Sequence, residues 1–192
     1  MANIVVFHSA LGLRDSVKRW AERLRELGHQ VYTPDLFDGE VFDVLSDGVA
    51  KRDALGIPAL IGRSQAAVAQ LPQELIYTGF SMGAASAQML AGTRPGARGA
   101  VLMHAALPLQ MLQIPTWPDD VPVQLHFAIE DPWVESAVVD SLEVALGEHM
   151  TVHRYPGSAH LFGDEDSSDY DADAATAMYE RAETFIASTA TY

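Results

Sequence analysis

Gly79-Phe80-Ser81-Met82-Gly83 follows the apolar run Leu75-Ile76-Tyr77 and precedes the helix-forming run from Ala84 to Leu90. A G-x-S-x-G pentapeptide between a strand and a helix has the pattern of a nucleophile elbow, a sharp turn that lifts a serine hydroxyl above a sheet. Glycine on either side lets neighbouring backbone approach closely. The positive end of the following helix and the N–H of Met82 then face the point where negative charge develops on an attacked carbonyl. The chemistry served is nucleophilic attack on an acyl carbon. A glycine-rich turn without chemistry is the bland alternative, and the strand before and helix after count against it.

A serine hydroxyl is a poor nucleophile until a base takes its proton, and the base needs a carboxylate to hold its tautomer. In this strand-turn-helix context the chain order is Ser, Asp or Glu, His. Of seven histidines, only His160 comes after the last expected strand, in the loop Pro156 to Phe162. The carboxylate belongs one strand earlier, where Leu125 to Ile129 runs into Glu130-Asp131-Pro132-Trp133. Asp131 is preferred to Glu130 because Pro132 favours an extended or turn conformation at the residue before it. A helix N-cap is the structural alternative for Asp131.

A second oxyanion N–H should come from the loop after the first strand, His8 to Leu13. Ala10 is the candidate and Leu11 the off-by-one alternative. His8 and His104, at strand ends, stand in the wrong chain order and read as orienting or core residues. His29, His126, His149 and His153 have neither the chain order nor a loop context, and no pair of them has clear metal-ligand spacing. The acidic run Asp164, Glu165, Asp166, Asp169, Asp171 and Asp173 lacks the glycine and distal glutamate of an EF-hand loop. It reads as a solvated turn and the first turn of the last helix, with Ser167 or Ser168 as caps. No metal and no cofactor are expected.

The elements that must position these residues are legible from periodicity. Apolar runs rich in β-branched residues lie near Asn3 to His8, His29 to Thr33, Glu74 to Thr78, Ala100 to His104, Val121 to Ile129 and Met150 to Tyr155. Continuous rather than alternating runs suggest strands covered on both faces. Val17, Trp20, Ala21, Leu24 and Leu27 share one helix face, closed by Gly28. Val138, Leu142 and Ala145 before Gly147 make another, and Ala174, Ala175, Met178, Ala182, Phe185 and Ile186 a third. Two helices are expected between Leu36 and Pro72, with Ser46 as an N-cap, Gly56 as a helix end and Pro58 as a first helical residue. Strands alternating with helices predict an α/β, doubly wound sheet of about six mostly parallel strands with helices on both faces.

The 192 residues fit a single domain over residues 1–192. There is no cysteine, so thiolate chemistry is excluded. The formal net charge of −14 repels nucleic acid and anionic membrane surfaces, so neither is an expected partner. No apolar run approaches a membrane span. The chain enters Ile4-Val5-Val6-Phe7 with no basic segment or cleavage pattern, which makes a cytoplasmic location the expectation.

Together, His8-Ser9-Ala10-Leu11-Gly12, the elbow at Gly79 to Gly83, Asp131 and the loop Pro156-Gly157 to His160-Leu161-Phe162 resemble the dienelactone hydrolase family of α/β-hydrolases. The resemblance covers nearly the whole chain and implies a compact α/β-hydrolase fold, trimmed so that it begins at the third strand of larger relatives. It implies Ser81, Asp131 and His160 as a triad and the Ala10 and Met82 N–H groups as the oxyanion hole. Three positions depart from the family pattern. Ser81 replaces a cysteine at the elbow, Ser9 replaces a glutamate after the first-strand histidine, and the arginine that binds the substrate carboxylate is replaced near Gly163-Asp164. An acidic loop there would repel an anionic lactone.

The expected activity is hydrolysis of a small-molecule carboxylic ester through an acyl-enzyme on Ser81. Acyl transfer or thioester cleavage would use the same residues, and a catalytically silent ligand-binding member is the rival of another class. Leu11, Trp133 and Phe162 are the candidate pocket residues, beside Met82. The segment Leu107 to Val121 is a candidate cover for a small apolar acyl pocket.

Overall fold

The computed structural model describes residues 1–190. Strands β1 (Asn3–Phe7), β2 (Gln30–Tyr32), β3 (Leu75–Phe80), β4 (Ala97–Met103), β5 (Val123–Ala128) and β6 (Met150–Tyr155) form one sheet in the order β2-β1-β3-β4-β5-β6. Every neighbouring pair is parallel. The α-helices are α1 (Asp15–Glu26), α2 (Leu45–Leu55), α3 (Ile57–Val68), α4 (Met82–Thr93), α5 (Ser136–Leu146) and α6 (Ala172–Thr189).

Successive side chains of a strand point to opposite faces, and the core divides accordingly. Val5, Phe7, Tyr77, Leu102, Leu125 and Phe127 pack with α3, α4 and α5. Ile4, Val6, Ile76, Val101 and Met103 pack with α1 and α6. Both faces of each central strand are covered, which is why those strands read as unbroken apolar runs.

After β2 the chain crosses back over β1 and continues on its other side, so the strand order reverses between β1 and β3. In open α/β sheets ligands bind at such a switch point, outside the carboxyl ends of the strands. The loop after β1 and the turn after β3 meet there. Among the described residues, no helix is long and apolar enough to cross a membrane.

Local expectations are corrected at three helices. Ser46 lies inside the first turn of α2, whose N-cap is Val44. In α5 the inward stripe is Val139, Leu142 and Leu146, whereas Ala145 faces solvent. Both stripes satisfy helical spacing, and the one with the larger apolar side chains turns inward. The N-cap of α6 is Asp171, which accepts hydrogen bonds from the N–H groups of Asp173 and Ala174, so neither Ser167 nor Ser168 caps it.

Candidate active site

Ser81 joins β3 directly to α4 at φ 50° and ψ −111°, a backbone conformation that a residue with a side chain adopts at a cost of about 1–3 kcal/mol. The surroundings enforce it. The Ser81 N–H donates to the Met103 carbonyl at 2.7 Å, closing the β3–β4 ladder. A Cβ on Gly79 would lie 2.1 Å from the Gly83 carbonyl oxygen, and one on Gly83 would lie 2.5 Å from the carbonyl oxygens of both Phe7 and His8. Only glycine at both positions lets α4 start this close to β1 and β3.

Ser81 Oγ lies 2.8 Å from His160 Nε2, and His160 Nδ1 lies 2.7 Å from Asp131 Oδ2. A carboxylate only accepts, so the imidazole proton sits on Nδ1 and Nε2 accepts from the serine hydroxyl. Asp131 and His160 are both buried. Asp131 Oδ1 accepts from the Trp133 N–H at 2.8 Å, which makes the aspartate part of a turn. It is not an N-cap, since α5 begins at Ser136 after Glu135. Glu130 is exposed and stays outside the relay.

Of the two expected oxyanion residues, Ala10 lies in the loop after β1 and Met82 is the first residue of α4, next to Ser81. In the β1 loop, the Leu11 N–H is taken by Ser9 Oγ at 3.1 Å, and the Leu11 carbonyl accepts from the Phe42 N–H. The N–H groups of Ala10 and Met82 have no hydrogen-bond partner among the described residues. His8 is a core residue that ties this loop down. Its Nδ1–H donates to the Ser9 carbonyl at 2.7 Å, and its Nε2 accepts from the Leu36 N–H at 2.9 Å. Burial pushes its pKa below the usual histidine value, consistent with a neutral ring. Gly48 of α2 completes the seat, because a Cβ there would lie 2.0 Å from the Ala10 carbonyl oxygen.

A cavity of about 330 Å³ opens onto Ser81 and His160. Met82 and Trp133 line it, together with residues of α2, α3, α4 and the segment 105–112. Trp133 is half-exposed, and its ring centroid lies 5.7 Å from that of His160. The other two expected pocket residues are corrected. Leu11 is buried away from the cavity by the loop that its carbonyl helps to pin. Phe162 is buried below His160, edge-on to His104 at 4.5 Å and against Tyr155 at 4.8 Å. Of the expected cover, Leu107, Met111 and Leu112 reach the cavity. Trp117 anchors the segment from the core side, its Nε1–H donating to the Val121 carbonyl.

The acidic run is structural. Asp169 Oδ2 accepts from the N–H groups of His160 and Leu161 at 3.0 and 3.2 Å, so it holds the backbone of the histidine loop. Glu165 and Asp166 pair with Arg19 of α1, both at 2.8 Å. Glu165 and Asp166 therefore face α1, and none of the acidic run is among the residues that line the cavity. No group of three or more His, Asp or Glu side chains among the described residues is arranged to hold a metal ion.

His104 follows β4 at φ 68°. Its ring is fully buried, 6.2 Å from that of His160, with neither nitrogen hydrogen-bonded. Burial, then the neighbouring His160 and His126, pushes its pKa well below the usual value.

Comparison with known proteins agrees with this architecture. Several solved structures share the fold. A dienelactone hydrolase-like promiscuous phosphotriesterase from metagenomic libraries superposes with a TM-score of 0.83 at 23% identity, over 98% of this chain and 87% of that one. A structure reported for the metagenome-derived lipolytic enzymes LipS and LipT gives 0.66 at 17% identity, over 97% and 94%. Thermogutta terrifontis esterase 2, phosphoramylated by tabun, gives 0.61 at 19% identity, over 97% and 83%. No curated protein matches the sequence. The model of the dienelactone hydrolase family matches residues 1–190, and the chain belongs to that family.

Proposed function

We propose that this protein hydrolyses small-molecule carboxylic esters through an acyl-enzyme on Ser81. The observation that carries the reading is the continuous relay Ser81 Oγ to His160 Nε2, 2.8 Å, and His160 Nδ1 to Asp131 Oδ2, 2.7 Å. As Ser81 Oγ attacks the ester carbon, its proton passes to His160 Nε2. Asp131 stabilises the imidazolium that forms and keeps the ring oriented. The carbonyl oxygen, now an oxyanion, is received by the Ala10 and Met82 N–H groups at the amino end of α4. His160 then gives its proton to the departing alcohol oxygen. Water enters, loses a proton to His160 and attacks the acyl carbon, and His160 returns that proton to Ser81 Oγ as the bond to the acyl carbon breaks and the acid leaves.

Rapid mixing with a p-nitrophenyl ester tests the covalent step. A burst of one nitrophenolate per protein, with Ser81 carrying the acyl mass, is the expected result. Turnover without an acyl-Ser81 species contradicts the mechanism. Adding hydroxylamine as a competing nucleophile reads the partition between hydrolysis and transfer.

A further inference from the structure

The cavity over Ser81 has a closed end and an open rim. Leu60, Met89 and Leu112 are at most 8% exposed, whereas Ile57, Met111 and Trp133 are more than half exposed. Met82, Ala85, Ser86 and Met89 are the lining residues of α4. Their spacing makes them one stripe of the helix. The stripe begins at the residue whose N–H is proposed to receive the oxyanion and runs about 10 Å along the axis, at about 1.5 Å per residue.

The relay divides this space between the two halves of an ester. The departing oxygen must sit beside His160 Nε2 to collect its proton, so the alcohol half faces His160 and the exposed Trp133. The acyl half is left with the stripe on α4. The lining there is aliphatic and thioether, and its one hydroxyl is satisfied, since Ser86 Oγ lies 2.9 Å from Ser64 Oγ. Arg52 is the single cation of the lining, and its guanidinium is held by Asp53 at 2.8 Å. Among the described residues, no carboxylate lines the cavity. Along the α4 stripe a charged acyl group would lose its hydration without gaining a partner, because Arg52 belongs to α2 and already pairs with exposed Asp53. Met82, Met89 and Met111 are unbranched and adaptable, which suits a flexible chain better than a rigid ring.

We propose that the acyl group is an uncharged, unbranched chain of about six to eight carbons lying along the Met82–Met89 face of α4, an assignment that rests on Ser81 being the acyl acceptor. Size supports it. At the roughly 30 Å³ that a water occupies in the liquid, the cavity of about 330 Å³ holds about eleven non-hydrogen atoms, enough for the ester group and that chain with the alcohol half leaving through the open rim beside Trp133.

Two measurements test the assignment. Among p-nitrophenyl acetate, hexanoate, octanoate and dodecanoate, kcat/KM should peak at hexanoate or octanoate, exceeding acetate by about tenfold or more. Ala85→Phe plugs the stripe midway and should lower the octanoate-to-acetate ratio at least about tenfold, whereas Met89→Ala lengthens the closed end and should raise the dodecanoate-to-octanoate ratio. Independently of turnover, calorimetry on Ser81→Ala protein should show saturable binding of octanamide but not acetamide, weakened by adding Ala85→Phe. A flat chain-length profile, ratios unmoved by both variants, or a preference for a succinyl half-ester overturns the proposal. Octanamide binding with no acyl-Ser81 species supports the pocket while refuting the acyl-enzyme. Turnover through Ser81 with no dependence on chain length does the reverse.

Discussion

Asp169 has no hydrogen bond to the side chains of Ser81, His160 or Asp131, yet on the proposed mechanism its removal should cost both stability and rate. Its carboxylate accepts from the backbone N–H groups of His160 and Leu161, two residues that are 4% and 1% exposed. In Asp169→Ala both donors lose their acceptor, at about 1–3 kcal/mol each for a buried group. Water reaches the partly exposed side of Asp169, so a net loss of about 2–3 kcal/mol is expected. At roughly 2–4 °C per kcal/mol for a chain of this size, the melting temperature should fall by about 5–10 °C. The loop that carries the imidazole also loosens, and a misplacement of about 1 Å typically costs about a hundredfold in rate. Asp169→Asn keeps one acceptor oxygen and should recover most of both losses. Thermal unfolding and steady-state kinetics on one ester suffice. A wild-type melting temperature and kcat in Asp169→Ala would refute the reasoning, and a lower melting temperature with unchanged kcat would refute the positioning part.

On the proposed mechanism, Asp131→Asn can no longer hold the Nδ1–H tautomer, and kcat should fall by about 10⁴-fold, the loss seen when the aspartate of a serine-protease triad is so changed; a loss under tenfold would remove Asp131 from the relay. Gly48→Ala forces α2 or the Ala10 loop to move, with an expected cost of about 1–3 kcal/mol and about a hundredfold in kcat through the displaced N–H. Unchanged kcat in folded Gly48→Ala protein would show that α2 is not the seat of that loop. Buried His8, His104 and His126 have folded-state pKa values lowered from 6.5, chiefly by desolvation. The unfolded chain therefore binds more protons just below that pH. Stability should be complete above about 6.5 and decline from there toward the depressed folded values, at up to about 1.4 kcal/mol per pH unit for each histidine. His104→Phe should flatten that slope in urea unfolding at about pH 7 and about pH 5, and an unaltered slope would mean that His104 titrates normally in the folded protein.

The serine, histidine and aspartate were legible in the sequence because each rests on a local pattern plus chain order. Strand and helix flank Ser81, His160 follows the last strand, and Pro132 throws Asp131 into a turn. The parallel sheet was legible because both faces of its strands are covered and the apolar runs are unbroken. What was hidden depends on contacts between distant segments or on side-chain direction within a loop. The Gly48 seat under Ala10 and the bonds from Asp169 to the His160 loop leave no periodic trace. Leu11 and Phe162 lie beside reacting residues in sequence but turn inward, because the Leu11 loop is pinned by Phe42 and Phe162 fills the space against His104 and Tyr155. The cavity walls from α2 and α3 were not legible as such. Those helices read only as helices until the crossover laid them beside α4.

The most direct test of the central claim is labelling with a fluorophosphonate, followed by peptide mass spectrometry, on wild-type, Ser81→Ala and His160→Ala proteins. An activated serine predicts stoichiometric modification of wild type at Ser81, none in Ser81→Ala and a severe loss in His160→Ala. A folded wild-type protein that stays unlabelled, or one labelled at another residue, would contradict the account.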